Sequence, residues 1–422
     1  MTPPSRAPHA VYVIQDTGYP RDRRIRRQAQ TLRAAGWRVT VIAARLPGEP
    51  RREVVDGVDV RRYRVIEARH STVAFVLEFA NSFLRAGALT LRAGLRPGTR
   101  FVQTANPPDT MFPVLWLLQR CGRRAVFDQH ELMPELSVAR FGRERPLVLR
   151  ALRLTERLSY RVADLVLATN ETYAATARGR GGVPADRVVV VRNGPDRDEL
   201  VPGRVRPDLV PAGRSLLAFV GVMGPQDGGD RLLDAVADLV VRRGRTDVHV
   251  AVLGDGPSLP ELREQAQRLG IAGHVTFTGW VTDQQELRDH LATATVCISP
   301  EPSDPFNDAS TFIKIMEYLA AGAPVAAFDL PETRASAGAA ARYAEPSSPE
   351  RLADVIAQLL DEPALRAEMS AEGLRRIEDE LGWWHTAPRY AAAIARLTGE
   401  GVAAPVPEAP QAADRVPVEV AA

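Results

Sequence analysis

Lys314 is the only lysine among 54 basic residues. It lies in the run Pro305-Phe-Asn-Asp-Ala-Ser-Thr-Phe-Ile-Lys-Ile-Met-Glu-Tyr-Leu-Ala-Ala-Gly-Ala-Pro324. In a chain that otherwise uses arginine, a compact ammonium one turn into a helix points to phosphate contact. A strand signal ends at Ser299, a polar loop follows, and a helix opens near Ser310, so the N–H groups of its first turn can also bind phosphate oxygens. Glu317, three positions on, shares the helical face of Lys314 and can reach the same ligand; a surface Lys–Glu pair is the plainer alternative. A second cluster is Phe127-Asp-Gln-His-Glu-Leu132, which leaves a strand and enters a loop. A lone histidine is more often structural, but the strand-end position and the flanking Asp128 and Glu131 favour a site role for His130. Either carboxylate can instead orient the histidine or cap the next helix. The third cluster follows the first strand, where arginines 21, 23, 24, 26 and 27 crowd a helix start. Each cation there costs ~0.3–1 kcal/mol against the helix dipole, so anion binding explains the cluster better than stability does. Gly18 lets the backbone approach a ligand, and Arg21 or Arg23 can contact a phosphate.

The elements that must position these groups alternate in type. Strand His9–Gln15 precedes a helix carrying Ile25, Ala29 and Leu32 on one face, then strand Trp37–Ala43. A long apolar helix near Thr72–Leu91 holds Phe75, Val76, Leu77, Phe79, Phe83 and Leu84, and reads as core packing or a lipid-acceptor contact. Strand Arg100–Thr104, helix Asp109–Cys121, strand Arg124–Asp128, a helix around Leu147–Val162, and strands Asp164–Thr169 and Arg187–Arg192 follow. After the Pro/Gly-rich stretch Pro202–Gly213 the rhythm restarts, with strands at Ser215–Gly221, Val248–Leu253, His274–Thr278, Thr295–Ser299 and Pro324–Phe328. Helices Gly229–Arg242, Ser258–Leu269, Asp283–Ala294 and Thr311–Ala321 lie between them. Ser258 and Glu261 have capping-box spacing. This alternation predicts an α/β fold of two Rossmann-like, doubly wound domains facing across a cleft, with the site at the carboxyl ends of strands. The expected domains are 1–200 and 213–380, with a helix at 383–398 returning to the first and a disordered tail at 399–422.

A chain of 422 residues exceeds what one core usually supports. Its two cysteines, Cys121 and Cys297, stand alone, and no CxxC, HExxH or His/Cys cluster argues for a disulfide framework or a zinc site. No apolar run reaches the ~18–20 residues of a membrane span, and residues 1–8 hold no signal core, which reads as cytoplasmic. Residues 1–197 carry 34 basic and 18 acidic side chains, against 20 and 34 in the remainder. Such asymmetry suggests a polyanionic surface beside the first half, an uneven arginine-rich composition being the bland alternative. Arg150, Arg153, Arg157 and Arg161 form one helical stripe, with Leu152, Leu154 and Leu158 on other faces. That is the pattern of a helix laid on an anionic bilayer, or of a solvated face.

Further segments fall in a fixed order: Asn106-Pro-Pro-Asp109, Asp128-Gln-His-Glu131, Val191-Arg-Asn-Gly-Pro-Asp196, Phe219-Val-Gly-Val-Met-Gly-Pro-Gln-Asp-Gly228, Leu253-Gly-Asp-Gly-Pro257 and Phe277-Thr-Gly-Trp-Val281. With them the chain resembles, from Val11 to about Tyr390, the retaining glycosyltransferases of family 4 (GT-B fold), and within these the polysaccharide-assembly transferases. The resemblance implies transfer of a sugar from a nucleotide-sugar donor to a glycan or polyprenyl-diphosphate-linked acceptor, peripherally on the inner face of a membrane. It implies no cofactor and no metal. His130 matches the family histidine that lines the donor sugar. Of the family's two glutamates, Glu317 matches the second, which contacts the ribose. The first falls at Ala309, leaving Asp308 to contact the sugar. The family's arginine and lysine on the opening loop align with Val222 and Asp227, so the diphosphate charge falls to Lys314 and the N–H groups of Thr311, Phe312 and Ile313. Gly18, Gly221, Asp255, Val281 and Ser310 complete the donor set, the loop at Trp280–Val281 packing on the base. Arg21, Arg23, Asn106, Asp128 and Glu131 are the acceptor or phosphate set.

Two rival readings share the architecture: a nucleotide-sugar epimerase, and a catalytically silent partner protein that has lost family residues. Nucleic-acid binding is disfavoured because the arginines lack interleaved aromatics.

Overall fold

A computed structural model of the chain describes residues 7–15, 17–65, 72–142 and 144–402. In chain order its first half holds β1 (His9–Val13), α1 (Arg23–Ala34), β2 (Arg38–Arg45), β3 (Arg52–Val55), β4 (Val58–Arg64), α2 (Thr72–Gly94), β5 (Thr99–Ala105), α3 (Phe112–Arg120), β6 (Arg124–Gln129), α4 (Met133–Phe141), α5 (Pro146–Val162), β7 (Leu165–Ala168), α6 (Glu171–Arg178) and β8 (Val188–Val190). The second half holds β9 (Ser215–Val220), α7 (Gly229–Ala237), β10 (Val248–Leu253), α8 (Leu259–Arg268), β11 (Val275–Gly279), α9 (Gln284–Thr293), β12 (Val296–Ser299), α10 (Ile313–Ala320), β13 (Val325–Phe328), α11 (Pro331–Ala337), β14 (Ala341–Ala344), α12 (Pro349–Asp361), α13 (Pro363–Arg376) and α14 (Trp383–Thr398). The chain divides into two compact units. Among the described residues, one comprises those within 7–137, 144–192 and 384–402; the other comprises 138–142 and 193–383.

The first unit is built on an eight-stranded sheet of order β3-β4-β2-β1-β5-β6-β7-β8. All neighbours are parallel except β3 and β4, an antiparallel hairpin. Its two-residue turn, Asp56-Gly57, has both residues at positive φ, the geometry that matches strand twist in short hairpins. The sequence reading passed over this hairpin, although Asp-Gly is its usual signal. It also passed over α4, α6 and β14. Every residue of β1 is buried, and its alternating side chains serve two cores. Val11 and Val13 join Val102 and Ala125 beneath α2 and α3. On the opposite face Tyr12 meets Phe101 edge-on at 5.9 Å, and its hydroxyl lies 2.5 Å from that of Tyr390 on α14. Burying each such aromatic contributes roughly 1.5–3 kcal/mol. In α2, Ala86 and Ala93 are buried and Phe83 packs beside them, so one side of its second half is core, while Leu84 faces away and is exposed. The side chains of Phe75, Val76, Leu77 and Phe79 lie outside the described residues, as do residues 403–422.

The second unit has a six-stranded sheet, order β11-β10-β9-β12-β13-β14, parallel throughout. Counted within the unit this is 3-2-1-4-5-6, the doubly wound order of dinucleotide-binding folds. Strand order therefore reverses between β9 and β12. Those two strands pair only at Val296–Leu217 and Cys297–Ala218. Beyond that point Tyr318 holds them apart, its hydroxyl accepting from Val220 N at 2.9 Å and donating to Ile298 O at 3.1 Å. Two expected helix starts are corrected. Ser258 sits at the α8 boundary in helical geometry with no side-chain cap bond, so the capping box does not form. Helix α10 begins at Ile313, not Thr311, because Phe312 is extended.

Candidate functional site

In a parallel sheet the carboxyl ends of all strands share one edge. In the second unit the residues following β9, β10, β11 and β12 there are Gly221, Asp255, Trp280–Val281 and Glu301. Ligands bind such sheets outside this edge, at the order reversal. Here the reversal holds a charged cluster. Lys314, second residue of α10, is buried, forms an ion pair with Glu301, and stands 3.8 Å from Asp227 Oδ1. Its Nζ lies 4.6 Å from the centre of the Phe219 ring. Glu301 is 1% exposed and also accepts from the Ser299 hydroxyl.

Glycine shapes the space around this cluster. A Cβ on Gly221 would lie 3.2 Å from Lys314 Nζ, so the absent side chain leaves one flank of the ammonium open. At Gly228, φ is +70° and a Cβ would fall 1.9 Å from Pro300 O. Only glycine lets the Gly221–Gly228 loop press onto the backbone after β12.

Lys314 is thus not the free cation that the sequence suggested, because two carboxylates already surround it. Burial pushes the Asp227 carboxyl up to about 6; Lys314 pulls it down and Glu301 pushes it up again. Its other oxygen accepts from Gly224 N at 3.1 Å and Gln226 Nε2 at 3.0 Å.

The remaining donor candidates occupy the same edge with varied engagement. Asp308 Oδ2 accepts from the Ser303 hydroxyl at 3.1 Å, and burial and Asp304 hold its carboxyl above the usual range. The Ser310 hydroxyl is committed to Phe306 O at 2.7 Å, and that of Thr311 donates to Glu332 at 3.3 Å. Ile313 is exposed, Phe312 and Val281 are half-buried, and Glu317 is half-buried one turn beyond Lys314. Asp255 is exposed and receives Gly256 N at 2.7 Å. Three neighbours escaped sequence reasoning: Glu301, Tyr318 and Asn307. Asn307 Nδ2 ties Gln226 O (3.0 Å) to Pro302 O (2.9 Å). Their contacts are distant in sequence, and only the acidic Glu301 just after a strand offered a signal.

In the first unit, Asn106 follows β5 and His130 follows β6, again at the carboxyl edge. Asn106 is buried and clamps the turn: Oδ1 accepts from His130 N at 2.6 Å and Glu131 N at 3.1 Å, and Nδ2 donates to Glu131 O at 2.8 Å. Asp128 has no exposed surface and so does not present itself to an acceptor. Its carboxylate takes Arg24 (Nε at 3.0 Å, Nη2 at 2.6 Å), Gln28 Nε2 at 2.9 Å and Gln103 Nε2 at 2.9 Å, and lies 3.2 Å from His130 Nε2. Burial opposes its charge, but Arg24 and His130 outweigh burial and hold it well below the usual carboxylate range. Burial lowers His130 in turn, and Asp128 outweighs that, leaving the imidazole raised. Asp128 is therefore the carboxylate beside His130 that favours its charged form. Glu131 is half-buried, with the Tyr173 hydroxyl at 3.5 Å.

The arginine cluster divides. Arg24 and Arg27 are buried and Arg26 reaches Asp56 at 3.5 Å, so structure accounts for part of it. Arg21 is exposed and Arg23 half-buried. The side of Gly18 where a Cβ would stand is filled by Leu46 at 3.1 Å, so its smallness serves packing there. Among the described residues, no three His, Cys, Asp or Glu side chains converge as metal ligands would, and no helix is long and apolar enough to cross a membrane.

Two family models match the chain: a glycosyl transferase 4-like domain over residues 22–194, and glycosyl transferases group 1 over residues 214–362. D-inositol 3-phosphate glycosyltransferase of Thermobispora bispora is 30% identical over 244 residues, covering 54% of this chain and 55% of the relative. The chain thus spans about half the length of that curated relative. Sucrose-phosphate synthase from Thermosynechococcus elongatus superposes with a TM-score of 0.73 at 17% identity, over 93% of this chain and 100% of that one. Anabaena Alr3699/HepE in complex with UDP-glucose gives 0.69 at 16% identity, over 92% and 99%. These two likenesses concern the fold.

Proposed function

We propose that this chain, which belongs to the family of group 1 and 4-like glycosyltransferases, moves a hexosyl group from a nucleotide sugar to a hydroxyl of a glycan or lipid-linked acceptor, with retention of anomeric configuration. The observation that carries this reading is the Lys314–Glu301–Asp227 cluster at the β9/β12 reversal of a doubly wound sheet. Lys314 spends one of its three N–H donors on Glu301, and the flank left open by Gly221 directs the others toward a diphosphate. The first N–H groups of α10 add to that attraction. Glu317, one turn on, is assigned to the ribose, Trp280–Val281 to the base and Asp308 to the sugar. That UDP-glucose is bound by HepE supports a nucleotide-sugar donor here.

In this reading the nucleotide diphosphate departs as the anomeric carbon becomes oxocarbenium-like, and the acceptor hydroxyl attacks from the face the diphosphate leaves. The chain's part is positioning and stabilising leaving-group charge, with no metal required. The first unit takes the acceptor, with the His130–Asp128 pair as its fixed polar group and Arg21 and Arg23 for acceptor phosphate. The protein would work in the cytoplasm.

Purified protein, offered UDP-, GDP- and dTDP-sugars with and without a membrane extract, should release nucleotide diphosphate from one donor, faster with the extract. Release without the extract, accompanied by an altered sugar, would indicate an epimerase. The family's basic loop residues are replaced by Val222 and Asp227, which favours one further reading: a silent partner protein. Silence with every donor and no donor-induced rise in Tm would establish it.

A further inference from the structure

Helices α3 and α5 cover the same face of the first unit's sheet. Val114, Leu115 and Leu118 of α3 pack with Ala125 of β6, and Tyr160 of α5 meets Phe127, two residues along that strand and on the same side, edge-on at 5.6 Å. Their outward faces therefore point the same way. These faces mix exposed apolar and cationic side chains, and their large apolar residues stand open among the described residues. On α5, Leu147 is 78% exposed and Leu154, two turns on along the same ridge, is 56% exposed. Arg150, Arg157 and Arg161 run beside them, all exposed, with Arg153 at the margin. On α3, Trp116 and Leu117 are 46% and 45% exposed, and Arg120 lies over the Trp116 ring at 4.6 Å. Neither helix carries an exposed acid: α3 has none, and the one on α5, Glu156, is buried against Arg180.

Two leucines this exposed, two turns apart on one ridge, stand with exposed Val148, Trp116 and Leu117 and with arginines unmatched by any exposed acid on either helix. Together they make a combined apolar and cationic patch rather than scattered surface residues. Such a face suits a surface that is anionic at its boundary and apolar beneath: the leucines and Trp116 enter the acyl boundary, the guanidinium groups stay with headgroup phosphates, and the arginine stems cover the transition. A nucleic acid would use the charges and leave the apolar ridge in water. We propose that the α3–α5 face docks on an anionic phospholipid bilayer. The proposal stands apart from the donor reading, since it uses no residue of the second unit.

The test is flotation of the full chain with vesicles of phosphatidylglycerol mixed into phosphatidylcholine, against pure phosphatidylcholine. Binding should need the anionic lipid and weaken as salt rises from 50 to 500 mM. Each arginine near such a surface contributes about five-fold, so Arg150→Glu, Arg157→Glu and Arg161→Glu together should lower partitioning more than ~100-fold. Leu147→Asp with Leu154→Asp should also abolish binding at low salt, where a purely electrostatic contact would survive. All five positions are exposed, so Tm should be unchanged, and donor binding measured on the same variants separates this proposal from the proposed chemistry. Equal binding to both vesicles, no binding, or binding indifferent to the leucine changes would overturn it. So would a dimer in light scattering that Leu147→Asp dissociates while vesicles leave the protein untouched.

Discussion

Donor binding should consume a proton, and Asp227 should be where it goes. In the free protein this carboxyl titrates near 6, faced by Lys314, Glu301, Gly224 N and the Gln226 amide. A diphosphate set beside Lys314 brings two negative charges to within about 5 Å. At an effective dielectric near 20 each is worth ~3 kcal/mol, together enough to raise Asp227 by ~4 units. Binding at pH 8 must then protonate a group that is ionised in the free protein. With one proton taken up, affinity falls roughly 50-fold between pH 6 and pH 8. A nucleotide sugar is the right probe, because its doubly esterified diphosphate does not titrate in this range. Calorimetry at pH 6, 7 and 8, in buffers of different ionisation enthalpy, counts the protons directly. Asp227→Asn should bind at pH 8 about as tightly as the wild type at pH 6, with no proton uptake. Binding that is flat with pH, or a slope that survives in Asp227→Asn, would refute the reasoning.

Three further outcomes can be checked. Asn106→Ala removes three hydrogen bonds from the His130–Glu131 turn, and should cost ~2–4 kcal/mol in chemical denaturation and lower kcat more than it raises KM. Burial, with Glu156 nearby, pushes Asp109 up to about 7 against the opposing pull of Asn106 and Arg180. The fold therefore favours its protonated form, a stabilising contribution complete below about pH 4 and lost as pH rises through 7. Between pH 4 and pH 8 the wild type should lose about 4 kcal/mol relative to Asp109→Asn, read from paired urea melts. Gly228→Ala, with φ at +70° and a Cβ 1.9 Å from Pro300 O, should displace the loop. It should lower Tm and abolish nucleotide-sugar binding together.

The alternation of strand and helix was legible because buried parallel strands are short apolar runs, as in β1 and β10. The β3–β4 hairpin was missed because charged residues interrupt its short apolar runs, and only the fold shows that Arg61 and Arg62 are buried while Val54 is exposed. Lys314 stood out by being unique, and it does sit at the order reversal. Its neutralisation by Glu301 was invisible, because that pairing spans 13 residues and depends on where β12 ends. The arginine cluster shows the same limit. Arg24 looked like a ligand for an anion and is one, but its anion is Asp128, 104 residues away. Local spacing reveals which groups share a face, and only the fold decides which of them meet.

The most direct test of a donor site at the β9/β12 reversal is calorimetric titration of a nucleotide-sugar panel into the wild type and Lys314→Met. One donor should bind the wild type, and the variant should bind it ~10–100-fold more weakly, the worth of a charge-assisted bond to phosphate. Unchanged affinity in Lys314→Met, with the fold intact by circular dichroism, would place the donor elsewhere and contradict the account.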